Sequence, residues 1–488
     1  MSETRFDVCV LGAGPAGYAA AMRAHDLGRR VLLVERGRVG GAGVHEGALS
    51  SKTLWHLAND FATASRVDRG YRARDVEVSY PDVMATVRRA VEEAHGHLER
   101  QLERLAAPLA SGAQVVTARG AARFVDPHAV EVSASDGTVA RYEADHFIVA
   151  TGSRPRALEG VEVDGRVVVT SDQVESWERF PESMVIVGAG VVGCEYATIF
   201  ARFGRTKIHL IDRQPRILPS EDDDVAACVS SAFERMGVVI HREATLRSLR
   251  AVDDHVEYEI ESPRGRERFS VARALISVGR VPNTGDLGLD LAGVTLGRGG
   301  CVEVAGTVTS APHIHAVGDT TADVALVNVG EMEGRLAAEI ACGLAPRDIH
   351  YEALSAIMFL EPEVASVGLN EQQAKQRGVP YRAAVLSGRL IRRCVAMRST
   401  DGFVKLLASP EPPHRVLGLR VVGPEASSCI QGIAFLIDRG ATLDDIDRCV
   451  HPHPAITEGV QECARVLLGR SLHKPSVFES SLLRCVEG

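Results

Sequence analysis

Apolar and polar positions along this chain repeat one arrangement twice. The first copy opens with a short apolar run, Val8 to Leu11, and passes through Gly12-Ala-Gly-Pro-Ala-Gly17 into an alanine-rich helical stretch. A second apolar run from Val31 then closes on Glu35. The second copy runs from Met184 through Gly188-Ala-Gly-Val-Val-Gly193 and another helical stretch to Ile208-His-Leu-Ile-Asp212. Short apolar runs bounded by glycine turns read as buried strands, so each copy predicts a strand–turn–helix–strand unit with a parallel sheet. Between the copies, a pattern rich in Glu, Arg, Ala and Leu predicts a long helix from about Tyr80 to Leu109. A strand-rich stretch follows from Gln114 to Ala150. From about His350 strand and helix patterns mix without a third copy, and the residues from His473 onward read as a tail.

The doubled unit carries chemistry. In G-x-G-x-x-G the first glycine (Gly12, Gly188) permits a tight turn. The second (Gly14, Gly190) lets a pyrophosphate approach the backbone, and the third (Gly17, Gly193) lets helix and strand pack closely. The helix N-terminus then holds the phosphate charge. The acids closing the units, Glu35 and Asp212, are placed to accept hydrogen bonds from ribose hydroxyls. A lone motif is compatible with a plain glycine turn. Two complete copies predict two dinucleotide sites, and hence electron transfer between two cofactors, commonly a flavin and a nicotinamide.

Bulk properties narrow the field. A chain of 488 residues suggests roughly two to four domains. A net charge of −9, from 55 basic and 64 acidic side chains, argues against nucleic acid as the partner, because phosphate binding needs a basic face. No run of about 18 apolar residues predicts membrane insertion. The N-terminus has no basic region or long apolar core of a leader, so the expected compartment is the cytoplasm. The ten cysteines are scattered and contain no C-x-x-C, so the chain offers neither a local redox pair nor a metal knuckle.

Further motifs resemble those of the class I pyridine nucleotide–disulfide oxidoreductases, which include dihydrolipoamide dehydrogenase, mercuric reductase and the soluble transhydrogenase. Ala150-Thr-Gly-Ser-Arg-Pro155 resembles the segment that closes the first FAD-binding stretch. Val278-Gly-Arg-Val-Pro-Asn283 and Ile314-His-Ala-Val-Gly-Asp319 are similar to the segments that return to the flavin. Pro362-Glu-Val-Ala-Ser-Val-Gly368 and His451-Pro-His-Pro-Ala-Ile-Thr-Glu458 resemble two segments of the interface domain. These motifs stand in family order over nearly the whole chain. The resemblance implies an α/β fold with two Rossmann-like dinucleotide-binding domains, one for FAD and one for NAD(P), plus an α+β C-terminal dimerisation domain. It places the FAD-binding domain at 1–155 and 275–347, the NAD(P)-binding domain at 156–274, the interface domain at 348–470 and a C-terminal tail at 471–488. It implies a homodimer. It assigns cofactor binding to Gly12, Gly14, Gly17, Glu35, Gly41, Lys52, Ala121, Thr151, Gly152, Gly188, Gly190, Gly193, Glu195, Asp212, Gly279, Gly318 and Asp319, with Lys52 and Glu195 as an ion pair beside the flavin.

One departure changes the chemistry. Where the family carries G-G-x-C-x-x-x-x-C-x-P-S-K, this chain reads Gly40-Gly-Ala-Gly-Val-His-Glu-Gly-Ala-Leu-Ser-Ser-Lys52. Gly43 and Ala48 stand at the two cysteine positions and Ser50 at the proline. Glycine and alanine supply no thiolate and close no bridge, so a dithiol relay by the family route is excluded unless a distant cysteine folds in. Cys449, four residues before His453, and Cys485 are the candidates, against ordinary burial. His45 lies in the altered loop and is a candidate catalytic group. His453 and Glu458 match the family's acid/base pair, a histidine whose tautomer the carboxylate holds. The competing reading of His453 is a satisfied histidine in a proline-rich turn.

Asp212 repels a 2′-phosphate and favours NAD(H). Arg213 and Arg216, which follow it, would accommodate NADP(H) unless they are solvated loop charges. The leading expectation is an NAD(P)H oxidoreductase that reduces a small-molecule electron acceptor, a quinone or a second pyridine nucleotide, directly from FAD. Two alternatives stand beside it. One is a flavoenzyme acting on a specialised small substrate with His453 as acid/base. The other is a dihydrolipoamide dehydrogenase-like chain that has become a binding partner.

Overall fold

The computed structural model describes residues 5–45, 47–322 and 324–488. A seven-stranded sheet anchors the N-terminal unit. Its parallel part orders Gln114–Arg119, Arg30–Glu35, Arg5–Leu11 and Val139–Val149, with Ile314–Ala316 added alongside the last. Both faces of this sheet are covered, which is why its strands read as unbroken apolar runs. Val8, Val10, Val31 and Leu33 face the alanine-rich helix Pro15–Asp26, while Cys9, Leu11, Leu32 and Val34 face the side closed by Phe124 and Phe147. Each fully buried branched side chain here contributes about 1.5–3 kcal/mol. The helix Val327–Ala341 packs so closely on the first helix that a Cβ on Gly334 would lie 2.1 Å from Ala16 O.

The second unit is a five-stranded parallel sheet ordered Val239–His241, Lys207–Ile211, Ser183–Val187, Arg273–Ile276, Val168–Thr170. A three-stranded antiparallel sheet, Thr245–Val252, His255–Ser262 and Gly265–Val271, lies against it. Two short antiparallel strands, Ser153–Pro155 and Arg280–Pro282, form the crossing between the two units. The C-terminal unit is a six-stranded antiparallel sheet with helices on it. The fold is therefore α/β, with two doubly wound dinucleotide units and an α+β unit at the C-terminal end.

Two expectations shift in detail. The long helix is Tyr80–Leu105: Ser79 caps it by accepting from Asp82 N, Pro81 occupies its first turn, and it stops short of Leu109. Pro108 disfavours helical backbone at Ala107, which ends the helix early. The segment from His473, read as a tail, is folded. Leu483–Glu487 adds an edge strand to the C-terminal sheet, antiparallel to Arg382–Ser387. Among the described residues no helix is long and apolar enough to cross a membrane.

Candidate functional site

The two glycine fingerprints have the same geometry. Gly12 holds φ +102° and Gly188 φ +102°. A Cβ at Gly12 would meet Ala150 O at 2.4 Å, and one at Gly17 would meet Gly12 O at 1.9 Å. The equivalent positions in the second copy, Gly188 and Gly193, would meet Ser277 O at 2.5 Å and Gly188 O at 2.0 Å. In contrast, a Cβ on Gly14 or Gly190 would meet nothing within 4 Å. Both middle glycines cap helices, Pro15–Asp26 and Val191–Phe203, so each leaves open space where helix N–H groups emerge. That is the room a pyrophosphate needs.

The acids are already oriented. Glu35 accepts Ala13 N–H at 2.7 Å and Gly37 N–H at 2.6 Å. Asp212 accepts Ala189 N–H at 2.7 Å and Gln214 N–H at 2.8 Å. Each carboxylate is thus fixed by the glycine turn it serves and keeps acceptor capacity for ribose hydroxyls. Of the two arginines after Asp212, Arg216 is committed elsewhere: it donates to Glu221 O and Pro219 O and pairs with Asp223 at 2.9 Å.

The segments 278–283 and 314–319 meet at the end of the first unit. Ser153 Oγ donates to Asp319 at 2.6 Å, and Arg280 donates to Ser153 Oγ at 2.7 Å. Thr151 donates to Asn283 O, and Asn283 Nδ2 donates back to Thr151 O. Gly152 and Gly279 both hold positive φ at this crossing, and Arg156 N donates to Gly279 O. Ala121, itself exposed, opens the strand Ala121–Asp126 just beyond Gly120, whose N–H donates to Glu35 O. One positioning residue had no local signal. Buried Glu333 accepts Gly318 N–H at 2.7 Å and the Tyr351 hydroxyl at 2.8 Å, and so fixes the turn that carries Asp319.

Lys52 and Glu195 come together across the boundary between the two units. Lys52 Nζ lies 2.7 Å from Glu195 Oε2, and Glu195 is buried. Phe359 N–H donates to the other carboxylate oxygen at 3.1 Å, and its ring lies 5.0 Å beneath Lys52 Nζ. Trp55 packs edge-on against Phe359 and donates to Leu360 O. With one oxygen on Lys52 Nζ and the other on the Phe359 N–H, the Glu195 carboxylate holds the Lys52 side chain in place. Phe359 was absent from the residues expected here, because its contribution is a backbone N–H and a ring that no motif advertises.

The described residues of the altered loop lie close against the first glycine fingerprint. Gly41–Val44 makes one helical turn, His45 leaves it, and the helix Ala48–Ala64 follows. Gly41, at φ +47°, approaches Gly14 so closely that a Cβ would lie 3.0 Å from the Gly14 Cα. A Cβ on Gly43 would lie 2.4 Å from Pro15 Cγ. His45 turns inward: its Nε2 contacts Val39 O at 2.8 Å, beside His95 Nδ1 at 3.0 Å from the same carbonyl, with the two rings edge-on. The structure brings His45 to Val39 and His95, and brings Lys52 to Glu195.

His453 Nδ1 lies 2.8 Å from Glu458 Oε1, and Ala455 N–H donates to Glu458 Oε2 at 3.0 Å. Burial works against the charge of Glu458, but the His453 and Ala455 hydrogen bonds and the nearby Arg392 charge hold its carboxyl below the ordinary value of 4.5. An ionised carboxylate only accepts, so Nδ1 carries the proton of this bond and Nε2 faces outward. The histidine side chain is 59 % exposed.

All ten cysteines are free. Burial pushes the thiols of Cys9, Cys194 and Cys463 far up, and that of Cys228 up to about 11, so these sulfurs are not thiolates at neutral pH. Cys449 and Cys485 are exposed, the latter on the edge strand Leu483–Glu487. The chelating triad Asp222, Asp224 and Glu371 is filled by an internal cation, Lys405.

Comparison with known proteins agrees with this geometry. Residues 6–334 match the pyridine nucleotide-disulphide oxidoreductase family, and residues 354–464 match its dimerisation domain. The chain is 33% identical over 469 residues to a dihydrolipoyl dehydrogenase of Geobacillus stearothermophilus, covering 96% of this chain and 97% of that one. It is 33% identical over 480 residues to dihydrolipoyl dehydrogenase 3 of Haloarcula marismortui, covering 96% and 98%. Among solved structures it is similar to LpdA of Mycobacterium tuberculosis, with a TM-score of 0.86 and 29% identity over 95% of this chain and 99% of that one. The flavoprotein disulfide reductase RclA of Escherichia coli shares the fold, at a TM-score of 0.82 and 21% identity. With residues 6–334 and 354–464 matched and relatives 33% identical over 96% of its length, the chain belongs to the pyridine nucleotide-disulphide oxidoreductase family.

Proposed function

We propose that this protein is an FAD-dependent NAD(P)H oxidoreductase that delivers electrons to a small non-disulfide acceptor. The observation that carries the reading is the altered loop. Gly43 and Ala48 stand where the family motif has its cysteines, and the position of the first is packed against Pro15. Bound flavin supplies two-electron transfer between the nicotinamide and the acceptor. This chain's residues would hold it at Gly14, Glu35, Lys52, Gly318 and Asp319. The open space before Gly14 and the pre-oriented Glu35 support that fit. Lys52 places a cation, fixed by Glu195, where negative charge is to be stabilised. The reduced acceptor takes its proton from His453 Nε2, while Glu458 holds the tautomer and stabilises the imidazolium.

The nicotinamide is NAD(H) in this reading, because Asp212 presents a carboxylate to the ribose and Arg216 is already engaged. The protein acts as a homodimer. The dimerisation-domain match supports this, as do Phe435 and Val450, which lie 64% and 98% exposed in the single chain. The test is steady-state assay with NADH and either a benzoquinone or lipoamide. Quinone reduction without lipoamide turnover is the expected result. Lipoamide turnover comparable to that of a disulfide-bearing relative would overturn the reading and favour the activity named for the relatives.

A further inference from the structure

The segment that follows the matched dimerisation domain does more than end the chain. Glu462 lies one turn beyond Glu458 on the helix Thr457–Leu467 and is buried. The Ser471 hydroxyl donates to its carboxylate, and His473 N–H donates to the same oxygen at 3.1 Å. Lys474 Nζ closes the turn by donating to Ser471 O at 2.7 Å. Arg470 reaches Asp444 at 2.6 Å and Asp447 at 3.3 Å, and Asp447 also holds Arg465 of the same helix at 2.7 Å. Leu472 and His473 wall a small cavity of about 50 Å³ whose other lining residues include Glu458, Glu462 and Arg392. The back of the acid/base pair is therefore built by this segment.

The other end of the segment is an edge strand of the C-terminal sheet that also reaches a second unit. Leu483–Glu487 pairs with Arg382–Ser387, and Gly488 exchanges two backbone hydrogen bonds of 3.1 Å with Tyr381. From this strand Arg484 reaches Asp224 of the second dinucleotide unit at 2.7 Å, and the other oxygen of Asp224 is held by buried Lys405 at 2.6 Å. One strap of chain thus joins the helix bearing Glu458 to the nucleotide unit.

We propose that residues 470–488 form a positioning strap for the His453–Glu458 pair. Ser471 and His473 act through Glu462 to fix the helix on which Glu458 stands. Arg484 fixes the strap to the nucleotide unit. The proposal rests on the reading of His453 as proton donor to the reduced acceptor. Its physical basis is that Glu458 meets His453 and Ala455 at 2.8 and 3.0 Å, so a slide of this helix by a fraction of an ångström changes both contacts.

The experiment uses the full-length FAD-loaded protein with Ser471→Ala, Glu462→Met, Arg484→Ala and, as control, His453→Gln. Stopped-flow traces separate reduction by NADH from reoxidation by a benzoquinone, each across pH 5–9. The expected result is that Ser471→Ala and Glu462→Met slow reoxidation at least about fivefold and displace its pH profile. Reduction by NADH stays as in the native protein. Hydrogen exchange within 457–467 should rise in parallel. If His453→Gln slows reoxidation while every strap variant keeps the native rate and pH profile, the strap is only a stabilising element and the proposal is overturned. If His453→Gln itself leaves reoxidation unchanged, the proton-donor reading has failed and takes the proposal with it. Should Glu462→Met fail to fold, Ser471→Ala, which removes only a hydroxyl, decides the matter.

Discussion

Lys405 offers the sharpest test of the physical reading. It lies on the strand Phe403–Ala408 with a side chain 0% exposed, and its Nζ is 2.6 Å from Asp222, 2.6 Å from Asp224 and 2.7 Å from Glu371. Two of these carboxylates belong to the nucleotide unit just beyond the loop that follows Asp212, so this cluster sets that loop on the C-terminal sheet. Lys405→Met removes the only cation within reach of Asp222 and Glu371 among the described residues, while Asp224 retains Arg484. Deleting one partner of a buried ion pair costs about 3–5 kcal/mol. Backbone N–H groups on Asp222 and the Tyr381 hydroxyl on Glu371 offset part of that, which leaves about 3 kcal/mol. At roughly 2 °C per kcal/mol for a large cooperative unit, the melting midpoint falls by about 6 °C. The assay is release of flavin fluorescence on heating.

The pH dependence follows from signs. Burial opposes the Asp222 charge, but Lys405 and the backbone N–H bonds prevail and hold its pKa below the ordinary 3.8. In the native protein this stabilisation is fully present above about pH 4 and is lost as pH falls through the lower folded value. Without the cation the buried carboxylates are destabilising when charged, and protonation relieves them. The gap between native and variant midpoints is therefore widest near pH 8 and narrows toward pH 5. A shift under about 1 °C at pH 8, or a gap that widens as pH falls, would refute the reasoning.

Other outcomes follow from the same structure. His453→Gln should slow reduction of a quinone by about 10²-fold while leaving NADH-driven bleaching of the flavin intact, as stopped flow would show. Because Glu458 is held below its ordinary value, it keeps its charge across pH 5–8, and Glu458→Gln should slow quinone reduction throughout that range without changing NADH-driven bleaching of the flavin, as stopped flow would show. Asp212→Asn removes the charge that opposes a 2′-phosphate, and should raise the ratio of kcat/KM for NADPH over NADH by about tenfold. Denatured protein prepared without reductant should titrate all ten thiols. Gly43→Cys with Ala48→Cys should not restore lipoamide turnover, because a Cβ at 43 already collides with Pro15.

What the sequence revealed followed the range over which each signal acts. The fingerprints were legible because three glycines, a strand and an acid lie within one short unit and each has a local steric or electrostatic reason. The loss of both cysteines was legible as a matter of identity at two positions. The pairing of Lys52 with Glu195, or of His453 with Glu458, followed only from resemblance to a family, and the geometry then supplied the distances. Phe359 on Glu195 and the Lys405 cluster left no local trace, because each joins segments far apart in the chain, and Glu333, though only 15 residues from Gly318, is a single acid in a helix that resembles an ordinary surface charge. The inward turn of His45 was equally hidden, since it depends on Val39 and His95 converging from separate elements. The strap was read as a tail because five residues of edge strand, Leu483–Glu487, alternate too briefly to declare themselves.

The most direct test of the central claim is anaerobic titration of the FAD-loaded protein with NADH, followed through the flavin spectrum. A protein without a relay disulfide takes up two electrons per flavin and bleaches directly, with no long-wavelength thiolate-to-flavin charge-transfer band. Uptake of four electrons with that band at the halfway point would mean that a distant cysteine pair has replaced positions 43 and 48, and would contradict the account.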